Sequence, residues 1–124
     1  MCYIVTMKAD QQRWEVVYYE TPSGRRPVAD FLGKKGLTYR QRANALEVLA
    51  MLEEAGYSLG PPWLKKLESD LWELRKEVEG VWLRFIFCQE GTRFVILHAL
   101  KKKSNRLPQK DLQLARDRRH EYRK

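Results

Sequence analysis

LWELRKEVEGVWLRFIFCQEGTRFVILHALKKK, Leu71 to Lys103, is the stretch on which the reading of this chain turns. Runs rich in Trp, Phe, Val, Ile and Leu are separated by Glu79-Gly80 and by Glu90-Gly91, the signal of two successive hairpins. The stretch therefore predicts three short antiparallel strands that end in a triple lysine. With Glu79-Gly80 as a two-residue loop, Val78 opposes Val81, and the register follows by counting outward. Trp72, Leu74 and Val78 then share a core face with Val81, Leu83, Phe85 and Phe87. The other face carries Glu73, Arg75 and Glu77 against Trp82, Arg84 and Ile86, with Arg75 directly across from Arg84. Like charges in that position are destabilising. Either Glu73 and Glu77 offset them, or the pair exists to hold an anion.

Upstream of the meander, residues 1–13 carry weak signals and are read as partly mobile. Trp14–Tyr19 (WEVVYY) is β-branched and aromatic, which predicts a first strand. Thr21-Pro22-Ser23-Gly24 is a turn, and Pro27 opens a short helix through about Leu32. Thr38 is placed to cap the longest helical pattern, Tyr39 to Ala55, where Ala43, Leu46, Leu49 and Ala50 recur at helical steps before Gly56. Ser58–Lys66 contains Gly60-Pro61-Pro62 and reads as a rigid connector rather than an element. It tucks Trp63 and Leu64 under the sheet and leaves Lys65 and Lys66 toward water or a ligand. Downstream, Pro108 opens a last helix over residues 108–123, with few apolar positions (Leu112, Leu114, Ala115). The expected fold class is α+β in the order β-α-α-β-β-β-α, with the helices packed on one face of an antiparallel sheet. A length of 124 residues without repeats predicts a single domain over 1–124.

Composition narrows the function. Hydrophobic content of 44% suits a globular protein. Cys2 and Cys88 make no metal-ligand spacing and suit a reducing cytosol. No basic-then-apolar leader and no long apolar run is present, so a cytoplasmic protein is expected. Net charge is +8, and residues 101–124 hold ten Lys/Arg against three Asp/Glu, whereas residues 1–100 hold fourteen against thirteen. So concentrated an excess suggests a polyanion, most often nucleic acid. The alternative is a solvated C-terminal helix, or one that meets an acidic partner.

The motifs that would anchor nucleotide cofactors, zinc or a serine nucleophile are missing, so neither cofactor nor metal is expected. What remains is a set of cations at one end of the sheet: Arg75 and Arg84 on adjacent strands, then Lys101, Lys102, Lys103 and Arg106. Guanidinium groups match phosphate oxygens bidentately and lysines add point charge. Such a site binds an RNA or DNA backbone. It also suits metal-free RNA cleavage, in which the neighbouring 2′-hydroxyl is the nucleophile and the protein aligns attack and stabilises charge on phosphorus. His98 is the titrating candidate, against the reading of a hydrogen-bonded structural residue. A two-residue Glu90-Gly91 loop turns His98 to the core face, and a three-residue loop turns it to Trp82. Trp63, Trp72 and Trp82 fit core or rim better than base-stacking platforms.

At these residues the chain resembles the RelE/ParE toxin superfamily, and within it the HigB-like branch related to phage Gp49 proteins. The carrying motifs are Pro27-Val28-Ala29-Asp30-Phe31-Leu32, Leu71-Trp72-Glu73-Leu74-Arg75, Arg84-Phe85-Ile86-Phe87, and Val95 through Lys103 with Pro108 and Ala115 following. The resemblance spans roughly residues 14–123. It implies a RelE-like fold and a type II toxin that cleaves mRNA in the ribosomal A site. It also implies silencing by an antitoxin, commonly a helix-turn-helix protein through which the complex binds its operator DNA. By family pattern Arg84 contacts the scissile phosphate, Lys102 stabilises the transition state and Arg75 is the arginine of the LWELR strand. The chain departs from some RelE members at Leu71 and Glu73, where those carry lysines. It departs again near Pro108, where they place a tyrosine; Tyr122 is distant from that position. Two other readings stand beside this one: a ParE-like gyrase poison on the same scaffold, and a non-catalytic nucleic-acid-binding module.

Overall fold

Glu79 and Gly80 both take positive φ, 52° and 81°, the hairpin geometry whose twist matches that of the flanking strands. The register that this turn dictates is the one found in the computed structural model, which describes residues 13–33 and 36–124: Val78 opposes Val81, Leu74 opposes Phe85, and Arg75 opposes Arg84. The mobility expected of residues 1–13 concerns, Arg13 apart, positions outside those described.

In chain order the elements are β1 (Glu15–Tyr18), α1 (Pro27–Gly33), α2 (Tyr39–Ala55), a 3-10 turn (Gly56–Leu59), β2 (Leu64–Glu68), β3 (Leu71–Val78), β4 (Val81–Glu90), β5 (Arg93–Lys102) and α3 (Gln109–Tyr122). The sheet runs β1-β5-β4-β3-β2, with β1 parallel to β5 and every other pair antiparallel. The α+β class is as expected. Thr38 caps α2 through a reciprocal pair: its hydroxyl accepts from the Gln41 amide, and the Gln41 side chain accepts from the Thr38 amide.

Two expectations need correction. The connector at Ser58–Lys66 contains the start of a strand, so the order is β-α-α-β-β-β-β-α. Leu64 is buried opposite Leu74 and Lys65 opposes Glu73. Two exposed lysines on so short a run hide its strand character, yet they blunt the edge that β2 forms. The second correction concerns the helices, which lie on both faces. α1 and α2 pack Val28, Leu32, Ala45, Val48, Leu49 and Leu52 against Leu74, Leu83, Phe85, Phe87, Phe94 and Ile96. α3 packs Ala115, Leu112 and Tyr122 against Ile86, Cys88, Val95 and Leu97 on the other side. Each apolar layer buries surface that would otherwise face water, and the central strands are buried on both faces.

A bulge in β5 completes the frame. Ile86 opposes His98 while Phe87 opposes Ile96, leaving Leu97 unpaired. The extra residue re-aims the strand. Leu97 enters the core under α3, and His98 is turned to the face of Ile86 and Arg84.

Candidate active site

The face of the sheet shared by Glu73, Arg75, Trp82 and Arg84 is also the face on which α3 packs, against Ile86, Cys88, Val95 and Leu97. Beyond its start, Ser104 and Asn105 of the β5–α3 loop lie against β3 and β4. Arg84 sits beneath this loop and is 1% exposed. Its NH1 donates to Glu73 Oε2 at 2.6 Å, and Glu73 is equally buried. Its NH2 donates to Asn105 Oδ1 at 3.0 Å and to the Ser104 carbonyl at 3.3 Å. Arg75 NH1 reaches the same Asn105 oxygen at 3.3 Å, and its Nε donates to the Pro62 carbonyl. Both guanidiniums lie within cation–π range of the Trp82 ring, 5.4 Å for Arg75 and 5.7 Å for Arg84.

The two arginines thus converge on one oxygen rather than pointing apart. Glu73 offsets the repulsion between them by pairing with Arg84 alone, while Glu77 makes no ion pair with either arginine. Among the described residues Arg75 meets only neutral acceptors and the indole. The pairing leaves Glu73 Oε1 and Arg84 Nε buried with no hydrogen-bond partner among the described residues, a costly arrangement for a purely structural pair.

The lysines divide between the faces. Lys102 opposes Trp82 and is exposed beside the arginines. Lys103 and Arg106 are exposed on the loop that follows. Lys65, opposite Glu73, shares this face at the sheet edge. Lys101 opposes Leu83 on the α1/α2 face and donates to the Gly36 carbonyl, and Lys66 lies over the Trp72 ring, so neither joins the cluster.

His98 shares the face of Arg84 but is already engaged. Its Nε2 is 2.7 Å from Asp111 Oδ1 on α3, and Arg118 NH1 is 3.5 Å from its Nδ1. A tautomer with hydrogen on Nε2 lets Asp111 accept and leaves Nδ1 to accept from Arg118. Burial holds the imidazole below its ordinary range, against the pull of Asp111 in the other direction. This geometry ties the helix to the sheet. Burial pushes the Cys88 thiol up to about 12. Tyr122 packs into the core beneath α3.

Four arginines of the basic C-terminal segment are spent inside the molecule. Arg116 donates to both oxygens of Glu68, Arg119 to the carbonyls of Ser69 and Asp70, and Arg118 to the Leu97 carbonyl. Arg123 pairs with Asp70 and Glu90. The acidic partner of this helix is the protein's own sheet. Lys102, Lys103, Arg106 and Lys110 are exposed and make no ion pair among the described residues.

Asn105 and the depth of Glu73 were not read from the sequence. A loop asparagine carries no periodic signal. The placement of Glu73 opposite Ile86 follows from the register, but its depth does not.

No helix among the described residues is long and apolar enough to cross a membrane. No curated protein matches the chain. The sequence pattern of the phage-derived Gp49-like protein family (DUF891) matches residues 22–120, from the turn before α1 to the last turns of α3. The chain belongs to that family, a family of RelE/HigB-like toxins, and membership is consistent with the toxin of a toxin–antitoxin pair and implies a cognate antitoxin.

Proposed function

We propose that this protein is the toxin of a type II toxin–antitoxin system. In this reading it is a metal-independent, ribosome-dependent endoribonuclease that cuts mRNA in the A site and blocks translation in the cytoplasm. The observation that carries the reading is the convergence of Arg75 and Arg84 on a single oxygen acceptor, with Lys102 exposed on the same face. Two guanidinium groups directed at one point favour an anionic oxygen, such as that of a phosphate, over a neutral ligand.

The chemistry follows from charge and position. The 2′-oxygen bonds to phosphorus as the bond from phosphorus to the 5′-oxygen breaks, leaving a 2′,3′-cyclic phosphate. The hydroxyl proton leaves to water and the departing oxygen takes a proton from water. Arg84 and Arg75 hold the non-bridging oxygens, and Lys102 meets the charge that grows on them in the transition state. Glu73 keeps Arg84 in place through NH1, and the NH2 edge, which meets Asn105 and the Ser104 carbonyl, is the one turned to the substrate side. Lys103, Arg106 and Lys65 extend the positive surface along the RNA. His98 holds α3 through Asp111 and does not touch the reacting atoms. The antitoxin is a helix-turn-helix protein through which the complex reaches operator DNA.

The test is cleavage of mRNA on programmed ribosomes in EDTA, with RNA ends mapped. Wild-type protein is expected to cut, and Arg84→Ala and Lys102→Ala to lose about 10²-fold or more in rate. Cleavage that survives both substitutions overturns the assignment. Intact mRNA with accumulating DNA breaks would instead mark the gyrase-poison reading.

A further inference from the structure

Asn105 sets one neutral oxygen between two cations that face each other across the sheet. Its amide oxygen accepts from Arg84 NH2 at 3.0 Å and from Arg75 NH1 at 3.3 Å. Arg84 NH1 is taken by Glu73, so the edge of the guanidinium that faces the loop is the edge that Asn105 and the Ser104 carbonyl occupy. A carboxamide oxygen here does what an anionic oxygen would do, at reduced strength.

The loop has little else to hold it. Its hydrogen bonds to the sheet run from those two arginines, and its own closure is a local bond from the Arg106 amide to the Ser104 hydroxyl. It is pinned at one end by β5, which finishes at Lys102, and at the other by Leu107, which packs into the core under α3. Residues 103–106 between those pins are exposed. The run Lys101–Leu107 holds no carboxylate and four cations, so the loop cannot bind the arginines by charge. It can only lend them a dipole.

We infer that Asn105 Oδ1 occupies the seat of a non-bridging phosphate oxygen, and that residues 103–106 form a flap that a phosphodiester displaces to reach Arg84. The inference deepens the endonuclease reading and rests on it. A phosphate oxygen makes charge-assisted bonds roughly twice as strong as those of a neutral amide, so an incoming RNA outcompetes the loop, whereas water and neutral solutes do not. Lys102, Lys103 and Arg106 travel with the flap or flank it, and they add attraction at the moment it opens. The buried, unpartnered Arg84 Nε reports the closed state, because its hydrogen exchanges with water only when the flap lifts.

The experiment compares wild type, Asn105→Ala and Asn105→Asp in the full chain. Inorganic phosphate is titrated while the side-chain N–H signals of Arg75 and Arg84 are followed by NMR, and exchange of the Arg84 Nε hydrogen is timed. Asn105→Ala is expected to bind phosphate about tenfold tighter and to speed that exchange by a similar factor, and Asn105→Asp to weaken binding by about tenfold. Phosphate affinities within about twofold across the three proteins, with unchanged Arg84 exchange, overturn the flap. Ribosome cleavage by the same three proteins separates the two ideas. If none cuts but the phosphate and exchange shifts appear, the flap stands and the endonuclease reading falls. If wild type cuts and the three proteins bind phosphate alike, the flap falls and the endonuclease reading stands.

Discussion

Removing the carboxylate of Glu73 puts the site's electrostatics to a quantitative test. Glu73 and Arg84 meet at 2.6 Å with each side chain 1% exposed. For charge centres about 4 Å apart at an effective dielectric constant of about 20, their attraction is about 4 kcal/mol. Against it stand the removal of two ions from water, which costs several kcal/mol per ion, and the unpartnered Glu73 Oε1 and Arg84 Nε, each worth about 1–3 kcal/mol. The intact pair therefore adds no net stability and on these terms costs several kcal/mol, but half of it is a buried lone charge and costs more. Glu73→Ala is expected to cost about 3–5 kcal/mol of stability, and the double change Glu73→Leu with Arg84→Met to restore most of that loss. Urea unfolding followed by tryptophan fluorescence measures both, provided the slope with denaturant is unchanged. A Glu73→Ala loss below about 1 kcal/mol, or a double variant no better than the sum of its singles, would refute the bookkeeping. The double variant also separates stability from function: it is expected to fold well and to cut no mRNA.

Gly56 closes α2 at φ 59°, and a Cβ there would collide with Trp14 Nε1, whose ring stacks on Phe94. Gly56→Ala is expected to lose about 3 kcal/mol in the same unfolding assay, from backbone strain and overpacking together. His98 sets a pH slope: its folded pKa lies below the ordinary 6.5, so as pH falls through that value the unfolded chain takes up the proton first. Its contribution to stability is complete above about pH 6.5 and is lost as pH falls toward the folded pKa, and His98→Gln is expected to flatten the fall of melting temperature in that window.

Much of this architecture is legible in the residues. Glu79-Gly80 sets one register, and that register alone places Arg75 across from Arg84 and puts Trp82 on their face. Thr38 and Gly56 bound α2 because a cap and a left-handed stop are chemically specific. The second apolar layer was also signalled: Phe94, Val95, Ile96 and Leu97 run without alternation, which is the mark of a strand buried on both faces. A helix with only Leu112, Leu114 and Ala115 as apolar residues is too poor to cover it by itself. Arginine tethers make up that shortfall, since Arg116 and Arg119 reach Glu68 and the β2–β3 turn over long, flexible stems. The placement of His98 was beyond counting, because one unpaired residue at Leu97 reverses the parity that any turn assignment predicts. Burial of Arg84 was beyond it too, since it depends on a loop whose only distinguishing residue is an asparagine.

The fate of the C-terminal charge bears on how the protein meets RNA. If the basic segment bound a polyanion as a tail, its ten Lys/Arg would each release a counterion. Single-strand affinity would then fall with a log–log salt slope of about −7. Arg116, Arg118, Arg119 and Arg123 are instead committed to Glu68, Asp70, Glu90 and backbone carbonyls. The cations left around the Asn105 loop are Arg75, Arg84, Lys102, Lys103 and Arg106, which predicts a slope of about −3.5. Binding of an oligoribonucleotide blocked at the 2′-positions, measured by fluorescence anisotropy across a range of salt, reads this directly. Arg116→Ala sharpens the comparison: a tether mutant loses stability and leaves the slope alone, whereas a tail contact loses slope. A value near −7, falling by about one contact in Arg116→Ala, would return the chain to the non-catalytic binding module and detach affinity from the arginine pair.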